Sequence, residues 1–480
     1  MRPSPNWRRI AARLEGPWPP ARYWLLSAAA VLALLCWLPH PYYGEEPVYA
    51  ITTVETWWHG SWLSPVQLGS QYGRTPFLNW VAMLGVWLLG WDHLLLALRL
   101  IAALSTLGMA AMAAFFAYHL SRDRLLAAFT TACFLTGDLL TQRGWMAYSD
   151  PLFSLAIFGS ILCLWLAVDR RSPALLVVAA IAISAGFLTK ALTAYGFYGA
   201  AGLVLLLRHE NRRFLLSPVS LAIHAAILGF MPLWIFAIGG WSSNARLFAD
   251  IADRANTGGF GHFIGSVLSY WGEMVLRLLP VSAVVLALLI RPKLGSKEAG
   301  AVAAPCPSWS ITLRWILLLG ALPYLVTADN HPRHLLPLYP IFAIVAAELA
   351  LRRGQRLLAP LHAALIAWIV VTIPVALVIS PWISTRQHGN SAKVAAEIDA
   401  LTKGQPLYTG DGGSETLAVI AHLDVLRLPA EPIGTGPRQA KDGFFLFRVP
   451  APEWAGKEVA SFSLGRMPLG LLCRGSACKP

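Results

Sequence analysis

Charged residues are scarce in this chain of 480 residues. Lys, Arg, Asp and Glu together make up 13% of it, about half of their share in ordinary soluble domains, whereas hydrophobic residues make up 56%. Apolar runs recur from Tyr23 to Trp382. This composition excludes a typical soluble enzyme and predicts a polytopic α-helical membrane protein with little sequence left for soluble domains.

Motifs for several common cofactors are also absent. The sequence contains no Walker loop, no Rossmann glycine pattern, no Cys/His spacing typical of a metal site and no internal repeat. The glycines of residues 409–413 match no full nucleotide-binding signature, and a turn before a helix explains them better. No cofactor is therefore predicted, and a divalent ion is possible without being indicated.

The net charge of +13 does not indicate a nucleic-acid partner. The basic residues lie in short clusters between apolar runs and not along one face, which is the positive-inside pattern of membrane proteins. We therefore predict that the head, residues 1–22, and the later basic clusters are cytoplasmic. These clusters are Arg122/Arg124, Arg170/Arg171, Arg208/Arg212/Arg213, Arg291/Lys293/Lys297 and Arg352/Arg353/Arg356.

Eleven apolar stretches predict membrane crossings in a transmembrane domain of residues 23–382. The first follows an arginine-rich head and lacks a small-residue cleavage site, so it is predicted to be a retained signal anchor. The stretch Phe77–Trp91, about 20 Å long as a helix, is too short for a hydrocarbon core of about 30 Å. It is placed along the outer interface, in a first outer loop of residues 39–93. The predicted crossings are Tyr23–Leu38, Leu94–Leu120, Leu125–Thr141, Pro151–Val168, Ala174–Thr189, Ala191–Leu207, Val219–Ile238, Val267–Ile290, Leu313–Thr327, Leu335–Leu351 and Leu358–Trp382.

The polar tail, residues 383–480, predicts a small extracytoplasmic α/β domain, because eleven crossings that start from a cytoplasmic N-terminus end outside. Its length of about a hundred residues suffices for a modest core. Cys473 and Cys478 are close enough in sequence to form a disulfide in an oxidising compartment. The predicted elements are helices at Ser391–Leu401 and Glu415–His422 and strands at Phe444–Val449 and Ala460–Leu464.

The few cations of the predicted outer loops need an explanation other than topology, because the positive-inside rule requires none there. They recur beside acids, aromatic residues and prolines, in a pattern that suits an anionic ligand. They are Arg74, Arg143, Lys190, Arg246, Arg254 and Arg333.

Two adjacent acids, Glu45 and Glu46, stand at the start of the first outer loop. Pro47 suits the first position of a helix that runs to His59, which places Glu46 at the N-cap, where the helix dipole favours a carboxylate. A base held at the membrane interface is one interpretation. Solvated loop acids beside an interfacial amphipathic helix are the other, and the local sequence does not decide between them.

Later outer positions carry the same ambiguity. Asp150 precedes Pro151 at a predicted helix start, where a structural cap is the stronger interpretation. Lys190 interrupts a long apolar run and points to the outer headgroup layer, either to a phosphate or simply to lipid headgroups. Arg333 suits a phosphate because its planar fork donates two hydrogen bonds at once and stays charged. Single histidines such as His331 are more often structural than metal-binding.

Taken in order, these segments resemble the GT-C-fold glycosyltransferases that use polyprenyl-phosphate sugars, in the branch of protein O-mannosyltransferases and lipid A aminoarabinose transferases. The residues that carry the resemblance lie in five segments. They are Glu45-Glu46-Pro47-Val48-Tyr49-Ala50, Gly60-Ser61-Trp62-Leu63-Ser64-Pro65 with Tyr72-Gly73-Arg74-Thr75-Pro76, Tyr148-Ser149-Asp150-Pro151, Leu188-Thr189-Lys190, and Arg333-His334-Leu335-Leu336-Pro337-Leu338-Tyr339-Pro340.

The chain also departs from that family's pattern at four positions. The usual first Asp is Glu45, the usual Arg is Val48, the usual Lys is Arg74, and the usual Gly after Lys190 is Ala191. These departures predict a member that has diverged in its acceptor or its donor.

The resemblance implies a membrane enzyme that moves a sugar from a polyprenyl-phosphate donor to lipid A, another glycan or a protein on the periplasmic face, with inversion at the anomeric carbon. It implies that Glu45 takes the acceptor proton and that Glu46 and Asp150 orient the site. A phosphate leaving group needs charge neutralisation and no proton, so one base plus several cations suffices. The implied donor-binding residues are Tyr72, Arg74, Lys190, Arg333 and His334.

Two other functions remain open from the residues alone. A transporter or flippase for a lipid-linked anion would also use outer cations, although it would be expected to carry paired repeats and charges at mid-membrane depth. A glycan polymerase or ligase would bind its lipid phosphate with similar cations. The sequence does not identify the sugar or the acceptor.

Overall fold

The structure is a computed structural model that describes residues 16–239, 260–290, 306–325, 331–353, 355–435 and 442–478. The chain divides into two compact units, each assembled from separate stretches of sequence. Unit 1 comprises Met1–Leu35, Ala103–Trp145 and Asp150–Ile373, and unit 2 comprises Cys36–Ala102, Met146–Ser149 and Pro374–Pro480. The predicted division into residues 1–22, 23–382 and 383–480 stays a prediction; the units instead place the predicted outer loop with the tail.

Unit 1 is helical. The helix Leu94–Ser121 (α4) begins in unit 2 and continues in unit 1, and the helix Ser149–Arg170 (α7) begins with Ser149 of unit 2. The described helices are α1 (Pro20–Leu35), α4 (Leu94–Ser121), α5 (Arg124–Leu135), α6 (Asp138–Arg143), α7 (Ser149–Arg170), α8 (Pro173–Lys190), α9 (Thr193–Leu207), α10 (His209–Leu215), α11 (Pro218–Ala237), α12 (Phe260–Arg277), α13 (Val281–Ile290), α14 (Ser308–Leu325), a 3-10 segment (Pro332–Leu338), α15 (Tyr339–Arg353) and α16 (Gln355–Pro374).

Six helical stretches among the described residues are long and apolar enough to cross a membrane, or seven if a bent pair is one span. The chain is thus a multi-pass helical membrane protein, and the predicted number of eleven crossings stays a prediction. The six stretches are Trp91–Ser121, Ser149–Arg170, Pro173–Lys190, Pro218–Ala237, Pro332–Arg352 and Leu357–Thr402. Shorter apolar helices are Pro20–Leu35, Phe77–Leu89, Arg124–Leu135 and Thr193–Leu207.

Two predicted single spans are interrupted, which corrects their bounds. The stretch Leu125–Thr141 breaks at Gly137, whose extended backbone caps α6, and Asp138 then pairs with Arg277 at 3.0 Å. The stretch Val267–Ile290 forms α12 and α13, which meet at 117°. Pro280 lies at that break, where its missing N–H and its ring prevent a continuous helix.

The core of unit 1 forms where α5 packs between α1 and α15. Tyr23 of α1 is fully buried, and its hydroxyl lies 2.9 Å from Nε2 of His362. The Tyr339 hydroxyl donates to the Cys133 carbonyl at 3.4 Å, next to the α5–α6 break. These buried polar contacts join helices that are distant in sequence, so they fix the bundle around the break.

Unit 2 joins the predicted outer loop to the tail. The tail helix α19 packs on α18 and on α2 of the loop. The five-stranded sheet of the tail has the order β4-β3-β5-β7-β6. In it, β3 pairs in parallel with β4 and β5, and the remaining pairs are antiparallel. The elements are α2 (Glu46–His59), β1 (Val66–Gln67), β2 (Ser70–Gln71), α3 (Phe77–Leu89), a 3-10 turn (Trp91–His93), a π turn (Val375–Ile379), α17 (Ser380–His388), α18 (Ser391–Thr402), β3 (Leu407–Thr409), α19 (Ser414–Leu426), β4 (Gly434–Thr435), β5 (Gly443–Arg448), β6 (Lys457–Leu464) and β7 (Met467–Arg474).

The tail has the predicted helices and strands within a few residues, and it forms a small α/β domain. The core of its sheet is aromatic, with Phe445 and Phe447 packed edge-on against Trp454. A disulfide joins Cys473 and Cys478, with an S–S length of 2.10 Å.

Candidate active site

The two adjacent acids of the first loop have different environments. Glu46 is fully buried, whereas Glu45 is exposed. The predicted N-cap was wrong by one residue, because Glu45 is the N-cap and Glu46 the first residue of α2. The Glu45 side chain accepts no cap hydrogen bond, since its φ of −87° and ψ of 0° differ from the extended backbone of usual N-caps.

The carboxylate of Glu46 is bound on both oxygens. Its Oε1 accepts from Nε of Arg99 at 2.9 Å and from the backbone N–H of Ala147 at 2.8 Å. Its Oε2 accepts from a terminal nitrogen of Arg99 at 2.5 Å and from the N–H of Tyr43 at 2.9 Å. Glu46 therefore holds together three separate stretches of unit 2.

Arg99 is fully buried in the first turns of the membrane span that begins at Trp91. Its guanidinium group donates to the carbonyl oxygens of Leu38, His40 and Pro41, in addition to the two bonds to Glu46. A buried charge is costly unless it is neutralised and hydrogen-bonded. The planar guanidinium fork meets both conditions here.

The backbone of Glu45 is fixed by Tyr148. The N–H of Glu45 donates to the Tyr148 hydroxyl at 2.9 Å. Gly44 has a φ of 60°, and a Cβ there would clash with the same hydroxyl, so only glycine suits this position. The Glu45 side chain is thus exposed on a backbone whose conformation is tightly constrained.

Tyr72 and Arg74 follow the small β1–β2 hairpin of unit 2. The Arg74 guanidinium carbon lies 6.0 Å from the centre of the Tyr72 ring, in a cation–π arrangement. Arg74 is exposed and Tyr72 is half-buried. The structure therefore presents a surface cation beside an aromatic ring, which suits an anionic group.

A second acid pair of unit 2 was not noticed in the sequence. Glu55, on α2, is 1% exposed and accepts from the N–H groups of Leu68 at 2.6 Å and Gly69 at 2.9 Å. Asp424, on α19, is equally buried, and its Oδ1 accepts from Ile433 N–H at 2.8 Å. Burial raises the pKa of Glu55 to about 7 and the pKa of Asp424 well above its ordinary value.

The raised pKa of Glu55 predicts that the free energy of unfolding of the chain depends on pH. The pKa of Glu55 is about 7 in the folded chain and 4.5 ordinarily. The folded state therefore keeps its full stability below pH 4.5, where Glu55 is neutral in both states. It loses stability as the pH rises through 7, because the buried carboxyl group must then ionise. The loss from Glu55 is roughly 3 kcal/mol, and Asp424 acts in the same direction. Thermal unfolding measured between pH 5 and pH 8.5 should show a falling midpoint.

The Glu55→Gln variant should reduce that pH dependence, leaving the part that comes from Asp424. It should also be less stable than the wild type at pH 5, by about 1 kcal/mol. The NH₂ group of the new glutamine would face a backbone N–H that the Glu55 oxygen accepts from, and two donors cannot bond each other. Glu397→Gln, at an exposed position of α18, is the matched control. An unchanged slope in the Glu55→Gln variant would contradict the assignment.

Unit 1 holds a separate charged cluster built around Asp150. Its carboxylate is nearly fully buried and lies 2.5 Å from the ammonium group of Lys190, at the end of α8. Lys190 also lies 5.7 Å from the centre of the Phe153 ring. Asp150 thus has a specific ionic partner, in addition to the helix-start position that suggested a structural cap.

Arg333 and His334 belong to the same electrostatic cluster, since both interact with Asp150. They lie in the 3-10 segment Pro332–Leu338 and are partly buried. The His334 ring contacts Tyr324 at 5.9 Å between ring centres. Unit 1 therefore brings together three predicted donor-binding residues and one predicted orienting acid.

A large apolar pocket adjoins the same 3-10 segment. Its volume is about 630 Å³, and it is lined by α12, α13, α14, α15 and the 3-10 segment itself. Leu335 and Leu338 contribute to its wall, only two and five residues after Arg333 in the sequence. Among its other lining residues are Trp271, Leu318 and Phe342. Such a pocket suits an aliphatic chain.

Ala191 stands where the glycosyltransferases that the chain resembles usually have glycine. Its φ is 54° and its ψ is −138°, a backbone conformation that glycine adopts freely and alanine only under strain. Such strain is typically worth about 1–3 kcal/mol and is often found at functional sites. The residue follows Lys190 directly, so it constrains the end of the helix that carries this cation.

Sequence reasoning missed Arg99, although the signal was present. An arginine within the apolar run Leu94–Leu120 is a charge inside a predicted span, and such a charge needs a buried partner. The predicted outer cations Arg246 and Arg254 lie outside the described residues. Within the described ranges, no three His, Cys, Asp or Glu side chains are grouped as a metal site requires.

Comparison with known sequences gives partial matches. No protein-family model matches the chain. It is 29% identical over 209 residues to the undecaprenyl phosphate-alpha-4-amino-4-deoxy-L-arabinose arabinosyl transferase of Edwardsiella ictaluri, covering 42% of this chain and 36% of that protein. The protein of the same description from Pseudomonas aeruginosa is 28% identical over 228 residues, covering 44% and 40%. The matched segment thus spans less than half of the length of these relatives.

Comparison with solved structures covers nearly the whole chain. ArnT from Cupriavidus metallidurans in the apo state superposes with a TM-score of 0.67 at 15% identity, over 96% of this chain and 99% of that one. The same protein bound to undecaprenyl phosphate also gives 0.67, at 16% identity over 95% and 98%. The chain therefore has the GT-C fold that its motifs predicted and is similar in sequence, over about two fifths of its length, to undecaprenyl-phosphate aminoarabinose transferases.

Proposed function

We propose that this chain is a glycosyltransferase of the bacterial inner membrane that moves a sugar from a polyprenyl-phosphate donor to a cell-envelope acceptor on the periplasmic face. The acceptor would be a lipid A-like lipid, another glycan or a protein. In this proposal the N-terminus is cytoplasmic and the C-terminus periplasmic. The order of the motifs, the fold and the activity of the proteins that are similar in sequence support it.

One observation in unit 1 carries the proposal. The cations Lys190 and Arg333 belong to one cluster around Asp150, and the segment that holds Arg333 also lines a large apolar pocket. A polyprenyl phosphate has the matching chemistry, since an anionic head is joined to a long apolar chain. A free sugar phosphate or a nucleotide sugar would leave the apolar pocket unused.

The proposed reaction is a single displacement. The acceptor hydroxyl oxygen attacks the anomeric carbon while the bond from that carbon to the phosphate oxygen breaks, which inverts the configuration. The hydroxyl proton passes to the Glu45 carboxylate. The bond electrons leave with the polyprenyl phosphate, whose negative charge Lys190, Arg333 and His334 stabilise. No proton donor for the leaving group is needed.

The remaining predicted site residues have supporting roles in this proposal. Asp150 orients Lys190, to which it is paired, and Glu46 orients the segment that ends in Glu45. Tyr72 and Arg74 offer a further cation beside an aromatic ring for the donor or the acceptor. A divalent ion is not required by this set of residues.

The test is a transfer assay with the full chain reconstituted in lipid nanodiscs. The donors are undecaprenyl-phosphate aminoarabinose and undecaprenyl-phosphate mannose, each with lipid A or a peptide as acceptor. We expect equal amounts of glycosylated acceptor and undecaprenyl phosphate from one of these combinations. Movement of intact donor between leaflets of proteoliposomes without transfer would instead identify a flippase, and products that carry several sugars would identify a polymerase.

A further inference from the structure

Glu46 follows Glu45 directly in the sequence and is paired with Arg99, and neither side chain of this pair is free to touch a substrate. Both side chains are fully buried, and both Glu46 oxygens are already bound. The pair therefore needs a role other than direct catalysis. A buried ion pair is weak evidence for stability in itself, which makes a role in positioning worth testing.

The bonds of Arg99 are concentrated on one short stretch of chain. Its five N–H groups face five acceptors, which are the carbonyl oxygens of Leu38, His40 and Pro41 and the two carboxylate oxygens of Glu46. All of these acceptors lie between residues 38 and 46. One planar group thus fixes both ends of the segment that leads into the exposed Glu45.

The other side of the segment is fixed by residues 147 and 148. Ala147 N–H donates to Glu46, and the Tyr148 hydroxyl accepts from Glu45 N–H. The Glu46 carboxylate also accepts from Tyr43 N–H. The backbone of Glu45 is therefore held from the Arg99 side and from the Tyr148 side at once, while its carboxylate stays exposed.

We infer that Arg99 is a positioning residue for Glu45, acting through Glu46 and the segment 38–46 to hold the base in its reactive orientation. The inference rests on the proposed function, because it assumes that Glu45 accepts the proton. A displacement of about 1 Å at a catalytic group lowers rates by up to roughly 100-fold. A flexible lysine offers no planar fork and no five fixed donors, so it should not replace Arg99.

The test compares Arg99→Lys with the wild-type chain in the transfer assay and in amide hydrogen exchange. We expect kcat to fall roughly 10- to 100-fold while KM for the donor changes less than about twofold. Exchange of the Tyr43, Glu45 and Ala147 amides should become faster. Arg466→Met, at an exposed position of the same unit, is the control and should match the wild type in both measurements.

A second variant, Tyr148→Phe, tests the inference in case Arg99→Lys does not fold. Tyr148→Phe keeps the ring and removes only the hydroxyl that accepts from Glu45 N–H. It should lower kcat with KM unchanged and speed exchange of the Glu45 amide, while the rest of unit 2 keeps the exchange rates of the wild type. If Arg99→Lys does not fold, an unchanged kcat in Tyr148→Phe would still overturn the inference, because fixing the Glu45 backbone would then not set the rate of transfer.

The outcomes separate the inference from the function on which it rests. Faster exchange with unchanged kcat, in a chain that Glu45→Gln inactivates, would overturn the inference and leave the function intact. Unchanged exchange in both Arg99→Lys and Tyr148→Phe would overturn it as well. A wild-type chain that transfers no sugar would refute the proposed function, and therefore the positioning role, whatever the exchange rates show about the segment.

Discussion

Replacing Glu45 by glutamine is expected to lower the turnover of sugar transfer by about 10²–10⁴-fold, the range that a general base contributes. Glutamine keeps the length and shape of the side chain but cannot accept the acceptor proton at neutral pH. Glu45 is exposed, so the change leaves the buried network of Glu46 and Arg99 in place. The variant should therefore fold and unfold like the wild type.

The measurement is single-turnover transfer with saturating donor and acceptor, accompanied by a thermal unfolding curve. Glu431→Gln, at another exposed position of unit 2, is the matched control and should keep full activity. Loss of transfer in both variants would indicate an unspecific effect of charge. Turnover of Glu45→Gln within threefold of the wild type would remove Glu45 from the mechanism.

Replacing Lys190 by methionine is expected to cause two losses that can be separated. The first concerns stability, because Asp150 would remain buried without its ionic partner. Removing one member of a buried pair typically costs about 3–5 kcal/mol. The second concerns binding of the polyprenyl-phosphate donor. A hydrogen bond to a charged group contributes about 1.5–3 kcal/mol, so its loss should raise the Kd for this donor roughly 10- to 100-fold.

The double variant Lys190→Met/Asp150→Asn distinguishes the two effects. It removes the uncompensated carboxylate, so the unfolding midpoint should recover most of the lost stability. The donor affinity should stay low, because the cation is still missing. Lys393→Met, at an exposed position whose partner Glu397 is 3.8 Å away, is the control for removal of a surface lysine.

Recovery of donor binding in the double variant would assign Lys190 a purely structural role. The binding measurement needs only undecaprenyl phosphate in nanodiscs, so it does not depend on the identity of the sugar or the acceptor. Its result is therefore informative even before the acceptor is identified.

The parts of this fold that depend on local sequence were predictable. The turn after Lys190 and the helix beginning near Pro47 follow from chain-local signals, and both lie within a few residues of their predicted positions. The helices and strands of the tail follow from periodicity in the same way. The break at Gly137 was missed because the two leucines that follow it keep the average hydropathy of the stretch high, although Gly137 and Asp138 together are a local turn signal.

The site was predictable only in part, for a different physical reason. Motif order indicated Asp150 and Lys190 separately, but their pairing depends on the packing of α7 against a residue 40 positions later. Glu46 was noticed as an acid near a helix start, whereas its function as the partner of Arg99 depends on a contact across 53 positions. Hydrogen bonds of this kind are tertiary, so residue types alone do not reveal them.

The packing of α2 against α19 restricts the number of times that the chain between them can cross a bilayer. These two helices touch within one unit, so they lie on the same side of the membrane, and the chain between them must cross an even number of times. The six candidate spans among the described residues satisfy this condition, and so do the ten crossings that the sequence predicts after the first loop. If α12 and α13 together crossed as a seventh, one further crossing between α2 and α19 would be needed to keep the number even. Reagents that cannot permeate the membrane should therefore label the loop and the tail from the same side.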